Sequence, residues 1–227
     1  MLLMNKVCII AGAASLRSIG YATAELFVEH GAKVVVTDVS MNADVLGSIK
    51  TSIEKKLQRS ISIDGIQCDI SKKEACDALI AEVVRCHGKI DCMVNSAGIV
   101  RSSPILEIDE KELDLMFDIN LKGAFFLCQS VLEVFKSQRS GNIVNVASLA
   151  AQRGGGLVGS SHYAASKGGM LSLTKSIARE FGALGIRANA ICPAMIDTPM
   201  LDGISQERLQ GIVEGIPLKR IGSTREM

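Results

Sequence analysis

Apolar residues fall into two kinds of segment along the chain, and the two kinds alternate. Short runs rich in β-branched and other apolar residues are typical of buried strands. They occupy residues 6–11, 33–37, 63–68, 91–94, 142–147 and 186–191. Between these runs the apolar residues recur at helical spacing. This spacing predicts helices at about 21–28, 42–58, 72–87, 109–138 and 162–183.

Regular alternation of strand and helix favours a parallel sheet, because a helical crossover joins neighbouring parallel strands. We therefore predict an α/β fold with a single doubly wound Rossmann-type parallel sheet and helices on both faces. No linker, low-complexity tract or internal repeat interrupts the alternation, so residues 1–227 are predicted to form one domain.

Composition limits where the chain can work. The sequence is 48% hydrophobic, enough for a large core, and the pattern predicts no segment apolar enough to span a bilayer. Residues 1–6 run directly into the first predicted strand and are too short for a signal peptide. We expect a cytoplasmic protein without a membrane partner.

Charge and cysteine content exclude further classes of function. Lys and Arg number 25 against 24 Asp and Glu, and a net charge of +1 lacks the basic footprint of a nucleic-acid-binding protein. The seven cysteines include no Cys-x-x-Cys pair, and the three histidines are scattered. We predict reduced thiols, most of them in the core, and neither a disulfide framework nor a metal site.

A glycine-rich loop follows the first predicted strand and precedes a helix. It runs from Gly12 to Gly20, and backbone amides at such a helix N-terminus can bind a pyrophosphate. The loop lacks the middle glycine of the usual dinucleotide fingerprint, and a tight structural turn is the alternative interpretation. Asp38 ends the second strand, and its position favours the interpretation as a nucleotide site. An acid there can accept hydrogen bonds from both ribose hydroxyls and repels a 2′-phosphate.

A tyrosine and a lysine share one face of the last long predicted helix. Tyr163 and Lys167 are four positions apart, so the ammonium lies one helical turn from the phenol. A nearby cation stabilises a phenolate, which makes Tyr163 a candidate general acid or base. The alternative is an ordinary half-exposed helical pair.

Other polar or glycine-rich clusters also come directly after predicted strands. Asp69, Asn95 to Gly98, Ser148 and Pro193 all occupy such positions. In open parallel sheets ligands bind at the carboxyl ends of the strands. We therefore expect these clusters to converge on one site.

Together these residues resemble the short-chain dehydrogenase/reductase family, from Lys6 to the end of the chain. Asn95-Ser96-Ala97-Gly98 resembles the family's Asn-Asn-Ala-Gly turn, and Asn120 resembles its helix asparagine. Ser148, Tyr163 and Lys167 resemble its catalytic serine, tyrosine and lysine. The segment 193–198, Pro-Ala-Met-Ile-Asp-Thr, is similar to the Pro-Gly segment that contacts the nicotinamide.

The resemblance implies a mechanism and a set of contacts. Ser148 would bond the substrate carbonyl, Tyr163 would donate the proton, and Lys167 would hold the nicotinamide ribose and depress the tyrosine pKa. Asn120 would hold a water that links Lys167 to solvent. The implied cofactor-binding residues are Gly12, Ser15, Ser18, Ile19, Gly20, Asp38, Val39, Asp69, Ile70, Asn95, Ala97, Gly98, Tyr163, Lys167, Pro193, Ala194, Ile196 and Thr198.

Three features depart from the family pattern. The glycine loop is long and resembles that of enoyl-acyl-carrier-protein reductases, but those enzymes space their tyrosine and lysine more widely, so the site resembles a carbonyl reductase. The interval from Ser148 to Tyr163 is also long and contains Gly154-Gly155-Gly156, with Ser160 or Ser161 as the fallback serine. Family members continue into another helix and strand, so the final edge strand is expected to be missing.

The leading functional prediction is an oxidoreductase that transfers a hydride between NAD(H), with NADP less favoured, and a secondary alcohol or ketone. A 3-oxoacyl-acyl-carrier-protein reductase is the alternative, because Arg139 and Arg179 resemble the basic pair that such enzymes present to an acidic carrier. These arginines are equally explained as solvated helix-end charges, and a small polyol or hydroxyketone dehydrogenase fits the residues equally well. A protein that senses NADH without turnover is a third interpretation.

Two long predicted helices carry apolar residues on more than one face. A second apolar stripe suggests burial against a partner, and a second copy is the natural candidate. We therefore predict a homo-oligomer, a dimer or tetramer. The stripes comprise Leu113, Met116, Phe117, Leu121, Phe125, Leu127, Cys128, Val131, Leu132 and Phe135 in one helix and Met170, Leu171, Leu173, Ile177 and Phe181 in the other.

Overall fold

A computed structural model describes residues 1–155 and 158–227. Its core is one parallel sheet of six strands in the order β3-β2-β1-β4-β5-β6. The strands are β1 Val7–Ala11, β2 Lys33–Asp38, β3 Ile63–Gln67, β4 Cys92–Asn95, β5 Gly141–Val146 and β6 Ile186–Ile191. This arrangement confirms the predicted doubly wound fold. Gly156, which the sequence analysis placed in the long interval before Tyr163, lies outside the described residues.

Helices cover both faces of the sheet. They are α1 Ile19–Glu29, α2 Ala43–Leu57, α3 Lys73–His87, α4 Glu110–Phe117, α5 Ala124–Gln138, α6 Ala150–Arg153, α7 Ser161–Phe181 and α8 Gln206–Glu214. Apolar side chains of α1 and α2 pack with one face of the central strands, and those of α3, α5 and α7 pack with the other. The central strands β1, β2 and β4 are buried on both faces, which explains their continuous apolar runs, whereas the edge strands β3 and β6 include exposed polar positions.

The predicted helix at 109–138 is interrupted by a wider turn. Asp109 caps α4 by accepting a hydrogen bond from the backbone of Glu112 at 2.7 Å. Between α4 and α5 the residues Asp118–Gly123 form a π-helical segment, which contains Asn120. Such segments widen a helix by one residue and occur often at functional sites.

The same helical stretch corrects one expectation drawn from the sequence. By length and composition Glu110–Gln138 is apolar enough to cross a bilayer, although the pattern predicted no such segment. Half of its most apolar part is buried, and Met116, Leu127 and Phe135 are fully enclosed. Packing inside the protein accounts for its apolar composition, so composition here does not indicate a membrane span.

The chain after β6 returns across the carboxyl ends of the strands. It forms a short 3-10 turn at Pro199–Leu201, then α8, and a last 3-10 turn at Thr224–Glu226. Ile196 and Gly222 pair in a single parallel bridge. Within the described residues β3 and β6 are the edge strands of the sheet.

Candidate active site

A cleft of about 930 Å³ opens at the carboxyl ends of the strands. It lies where the strand order reverses, between β1 and β4, which is the topological switch point at which open α/β sheets bind ligands. Its volume is within the range of small-molecule and cofactor sites. The loops after β2 and β3 line one half of the cleft, and the loops after β4, β5 and β6 line the other.

The glycine loop after β1 fits closely against the neighbouring strand ends. Gly12 has a φ of +81°, and a Cβ there would lie 2.5 Å from the backbone nitrogen of Ala97. A Cβ on Gly20 would lie 2.4 Å from the carbonyl oxygen of Gly12. Ser18 caps α1 by accepting a hydrogen bond from the backbone of Tyr21 at 3.0 Å. The two glycines thus let the N-terminus of α1 approach the cleft, where its free amides can bind an anionic group.

Asp38 lies in the half of the cleft next to β2, with its carboxylate held by three hydrogen bonds. Oδ2 accepts from the backbone of Ala14 at 3.3 Å, and Oδ1 accepts from the backbone and the hydroxyl of Ser40 at 3.1 and 3.0 Å. An ionised carboxylate offers about four acceptor sites, so Asp38 retains capacity for a ribose hydroxyl. The residues of this half therefore fit the ribose of a dinucleotide.

Asn120 supports the site from behind. Its amide pairs with the backbone of Ile99 in both directions, each bond 2.9 Å long, and it also donates to Ser166 in α7 at 3.2 Å. The side chain is fully buried and does not line the cleft. Asn120 therefore joins the π-helical segment, the turn after β4 and the helix that carries Tyr163.

Ser148, Tyr163 and Lys167 all line the half of the cleft formed by the loops after β4, β5 and β6. We call this half the catalytic half. The Ser148 hydroxyl accepts a hydrogen bond from the backbone of Ala150 at 3.1 Å, which leaves its proton free to donate. Lys167 donates to the carbonyl of Val146 at 2.9 Å. Tyr163 is 8% exposed and Lys167 is 3% exposed, so both groups are almost removed from water.

Burial controls the proton affinity of this pair. Desolvation raises the pKa of Tyr163, and the Ser148 hydroxyl offsets part of that rise. Desolvation lowers the pKa of Lys167 to about 8. The expected depression of the tyrosine pKa by Lys167 is not seen in this structure, because burial of the phenol dominates.

Most of the predicted site residues meet in the cleft. Those that line it are Gly12, Ser15, Ser18, Ile19, Asp38, Val39, Asp69, Ile70, Ala97, Gly98, Ser148, Tyr163, Lys167, Pro193, Ala194, Ile196 and Thr198. Gly20, Asn95 and Asn120 do not line it. Asn95 is buried and accepts a hydrogen bond from the backbone of Ala97, so it shapes the turn after β4.

The two fallback serines differ in their contacts from Ser148. Ser160 accepts a hydrogen bond from the backbone of Ser103 at 2.7 Å and donates its own amide to the carbonyl of Arg101. Neither Ser160 nor Ser161 is among the described residues that line the cleft. Of these three serines, Ser148 is therefore the one that lines the cleft.

A buried polar cluster beside Tyr163 was not predicted. His162 Nε2 lies 3.0 Å from Glu112 Oε1, close enough for an ion pair when the imidazole is protonated, although its direction is not that of a hydrogen bond. The Ser103 hydroxyl donates to the same carboxylate at 2.8 Å. The cluster ties the loop after β4 to α4 and α7. The one feature of the sequence that could have indicated this cluster is His162, directly before Tyr163.

A second missed contact joins two segments that contribute residues to the cleft. Arg17, in the glycine loop, forms ion pairs with Asp197 at 2.9 Å and with Asp202 at 3.0 Å. Between these two acids, Thr198, Met200 and Leu201 line the cleft. The segment 197–202 is therefore tied across the cleft to the opposite loop, through charges that the sequence separates widely.

Comparison with known proteins places this geometry among oxidoreductases. A family model described as enoyl-(acyl carrier protein) reductase matches residues 12–227. An uncharacterized short-chain type dehydrogenase/reductase of Sinorhizobium fredii is 37% identical over all of this chain and 88% of its own length. A 3-oxoacyl-[acyl-carrier-protein] reductase of Thermotoga maritima is 36% identical, over all of this chain and 89% of its own. The structure of an NAD⁺-bound xylitol dehydrogenase has a TM-score of 0.87, with 28% identity over all of this chain and 90% of that one.

Proposed function

The chain belongs to the short-chain dehydrogenase/reductase family and is an NAD(P)-dependent oxidoreductase, and from that premise we propose that it transfers a hydride between NAD(H) and a secondary alcohol or its ketone. The observation that carries this proposal is the placement of Ser148, Tyr163 and Lys167 on one wall of a cleft whose other half presents Asp38. One half suits the ribose of a nucleotide, and the other supplies a proton donor.

Each of the three catalytic side chains has a role that its contacts support. Ser148 receives a backbone hydrogen bond and donates its own proton to the substrate oxygen. Tyr163, whose pKa burial raises, stays protonated at neutral pH and donates its proton as the carbonyl is reduced. Lys167 uses one of its three donors on Val146 and has two left for the ribose and the phenol.

The cofactor fits the residues present. When bound, NAD(P)H supplies the hydride to the substrate, and NAD(P)⁺ accepts it in the reverse reaction. Asp38 would accept ribose hydroxyls, and its negative charge beside them opposes a 2′-phosphate, which supports NAD(H) over NADP(H). The amides of the glycine loop would bind the pyrophosphate.

A reduction assay tests the proposal. The loss of NADH absorbance should report turnover of at least one ketone in a panel that spans small hydroxyketones, cyclic ketones and 3-oxoacyl thioesters. Oxidation of the matching alcohols with NAD⁺ provides the reverse measurement. Absence of turnover in both directions, in protein that binds NADH, would contradict the proposal and favour a sensor that binds the cofactor without using it.

A 3-oxoacyl thioester is the second candidate substrate. Its support is the named activity of the Thermotoga maritima relative together with the four-residue spacing of Tyr163 and Lys167, which resembles a carbonyl reductase rather than an enoyl reductase. Arg139 and Arg179 are both exposed, as contact with an acidic carrier would need. The test is the rate at which a carrier-bound 3-oxoacyl substrate is reduced. A lower rate when both arginines are changed to Gln would favour this candidate.

We also propose that the protein assembles as a homo-oligomer. Leu113 and Phe125 are 41% and 48% exposed on the α4 and α5 segment, although several apolar neighbours on the same segment are fully buried. Two large apolar side chains exposed on one long helical segment suggest a surface that a second copy covers. In α7 the predicted second stripe is less exposed, because Leu171, Leu173 and Phe181 pack against the protein's own core.

A further inference from the structure

Arg153 is a cation on the catalytic side of the cleft. It ends the short helix α6, five positions after Ser148, and it lines the cleft together with Ser148 and Tyr163. Leu149 precedes this helix and donates its amide to the carbonyl of Pro193 at 2.8 Å, which fixes α6 beside the site. Arg153 is exposed, so its guanidinium can reach a molecule that enters the cleft.

Two other charged residues that line the cleft, Lys167 and Asp118, already have partners. Lys167 is buried and donates to the carbonyl of Val146. Asp118 forms an ion pair with Lys122 at 3.0 Å. Among the described residues that line the catalytic half, the Arg153 side chain has no acceptor or acidic partner. An arginine without a partner at a binding site can form a bidentate pair with a carboxylate or phosphate.

The surroundings of Arg153 are otherwise largely apolar. The described side chains that form the remaining wall of this half are mainly Val100, Leu115, Leu149, Val158, Met200 and Leu201. An apolar wall favours an alkyl or aryl group and offers few partners for a polyol, whose hydroxyls would lose hydrogen bonds to water. The described part of the catalytic half therefore combines a proton donor, an apolar surface and a cation, Arg153, that has no ion-pair partner there.

We propose that the substrate is an anionic ketone or its alcohol, with an apolar body and a carboxylate or phosphate group that pairs with Arg153. This inference rests on the proposed function of the same cleft and adds the chemical class of the substrate. The shared chemistry is an anion that binds a guanidinium. Its two possible sources are the carboxylate of an oxo acid and the phosphate of an acyl thioester of coenzyme A.

Binding without turnover provides the first test. Isothermal titration into protein saturated with NAD⁺ should show that hexanoate binds about tenfold tighter than hexanamide, which has the same chain and no charge, as expected for a partly screened charge-assisted pair. Arg153→Gln should abolish the difference by weakening hexanoate alone. Arg101→Gln removes an equal charge from the exposed loop after β4 and is the matched control, in which the difference should persist. Equal binding of the two ligands to the unaltered protein would overturn the carboxylate source.

Turnover tests both sources. 3-Oxohexanoate is compared with its methyl ester, and 3-oxohexanoyl-coenzyme A with the N-acetylcysteamine thioester, which lacks phosphate. The anionic member of at least one pair should have a kcat/KM about tenfold higher, mainly through a lower KM, because the pairing is made in both ground and transition states. Arg153→Gln should remove this advantage, Arg153→Lys should keep part of it, and the neutral substrates should be unaffected.

The outcomes separate this inference from the proposed function. Turnover of neutral and anionic substrates with equal kcat/KM in both pairs would overturn the role of Arg153 and leave the oxidoreductase assignment intact. A loss in Arg153→Gln that is equal for anionic and neutral substrates would also overturn it, because the arginine would then only support the mouth of the cleft. Failure to turn over any ketone would overturn the proposed function and the substrate class together.

Discussion

Arg17 and Asp197 are 180 positions apart in the chain, yet a guanidinium nitrogen of Arg17 lies 2.9 Å from a carboxylate oxygen of Asp197. A second carboxylate, that of Asp202, binds the same guanidinium. The pairs join the glycine loop to the segment after β6, on opposite sides of the cleft. Residues of both segments line the cleft, so the link should help to retain a cofactor that binds between them.

Arg17→Gln should therefore speed the release of NADH. We expect the dissociation rate to rise about threefold, a modest effect because the charges are about half exposed and screened by water. Stopped-flow measurement at low and high salt is the check, and the difference should shrink at high salt. Arg85→Gln breaks a comparable exposed pair with Glu82 on α3 and should leave the rate unchanged. A release rate independent of Arg17 would show that the link does not retain the cofactor.

Asp38 should determine the choice of cofactor. We expect NADH to bind at least tenfold tighter than NADPH, about 1.4 kcal/mol or more, because the carboxylate repels a 2′-phosphate. Asp38→Asn should narrow this ratio, as measured by fluorescence titration. Asp64→Asn is the control, since Asp64 is an exposed acid on β3 that pairs with His87. Equal affinities in the unaltered protein would exclude the ribose role of Asp38.

Removal of the Tyr163 hydroxyl should abolish most of the activity. Tyr163→Phe should lower turnover by about three orders of magnitude or more while NADH affinity changes by no more than a few fold, because the phenol acts mainly in the transition state. The turnover of Ser148→Ala should fall by a smaller factor than that of Tyr163→Phe. Steady-state kinetics with the best substrate provide the measurement.

The chain has one other tyrosine, which gives a matched control. Tyr21 donates or accepts a hydrogen bond with the Ser52 hydroxyl at 2.7 Å and lies in the core, away from the cleft. Tyr21→Phe should cost about 1 kcal/mol of unfolding free energy and leave turnover intact. If Tyr163→Phe kept normal turnover, the proton would come from another group.

The buried ammonium of Lys167 should make stability depend on pH. Its pKa falls from the ordinary 10.5 to about 8 in the folded protein because of burial. Between these values the unfolded chain binds the proton and the folded protein does not, so stability rises as pH increases from about 8 to 10.5. The full difference corresponds to ~3 kcal/mol.

Lys167→Met isolates this contribution. The difference in unfolding free energy between the unaltered protein and the Met variant should increase from pH 8 to 10. This difference isolates Lys167, because other titrating groups contribute equally to the pH dependence of both proteins. Urea denaturation at several pH values is the measurement. The Met variant should also lose turnover at every pH. A constant difference in stability across this range would mean that Lys167 is not desolvated as the structure shows.

Assembly should depend on the exposed apolar residues of α4 and α5. Light scattering at micromolar concentration should give a mass at least twice the 24.1 kDa of one chain. The double substitution Leu113→Ser with Phe125→Ser should shift the population toward monomer. Leu218→Ser changes an apolar residue near the end of the chain that is more exposed than either of these two, and it should have no effect. A monomer in the unaltered protein would contradict the proposed homo-oligomer.

Local sequence patterns were enough to predict the six strands, the positions of most helices and the convergence of the polar clusters. Strands buried on both faces need continuous apolar runs, and helices packed on a sheet need apolar residues at helical spacing, so both leave a local record. The prediction that Tyr163 and Lys167 share one helix face also needs only helical geometry, because they are four positions apart. Seventeen of the predicted site residues consequently line one cleft, from Gly12 to Thr198.

Tertiary structure decided the features that depend on distant partners. The π-helical segment contains Asn120, whose amide pairs with the backbone of Ile99, a residue 21 positions away in the chain. The pKa of Lys167 depends on burial, which spacing does not report. Arg17 pairs with acids beyond β6, whereas Arg153 has no ion-pair partner within residues 1–155 and 158–227. A linear sequence records which residues are present, but desolvation and charge pairing are set by which of them the fold brings together.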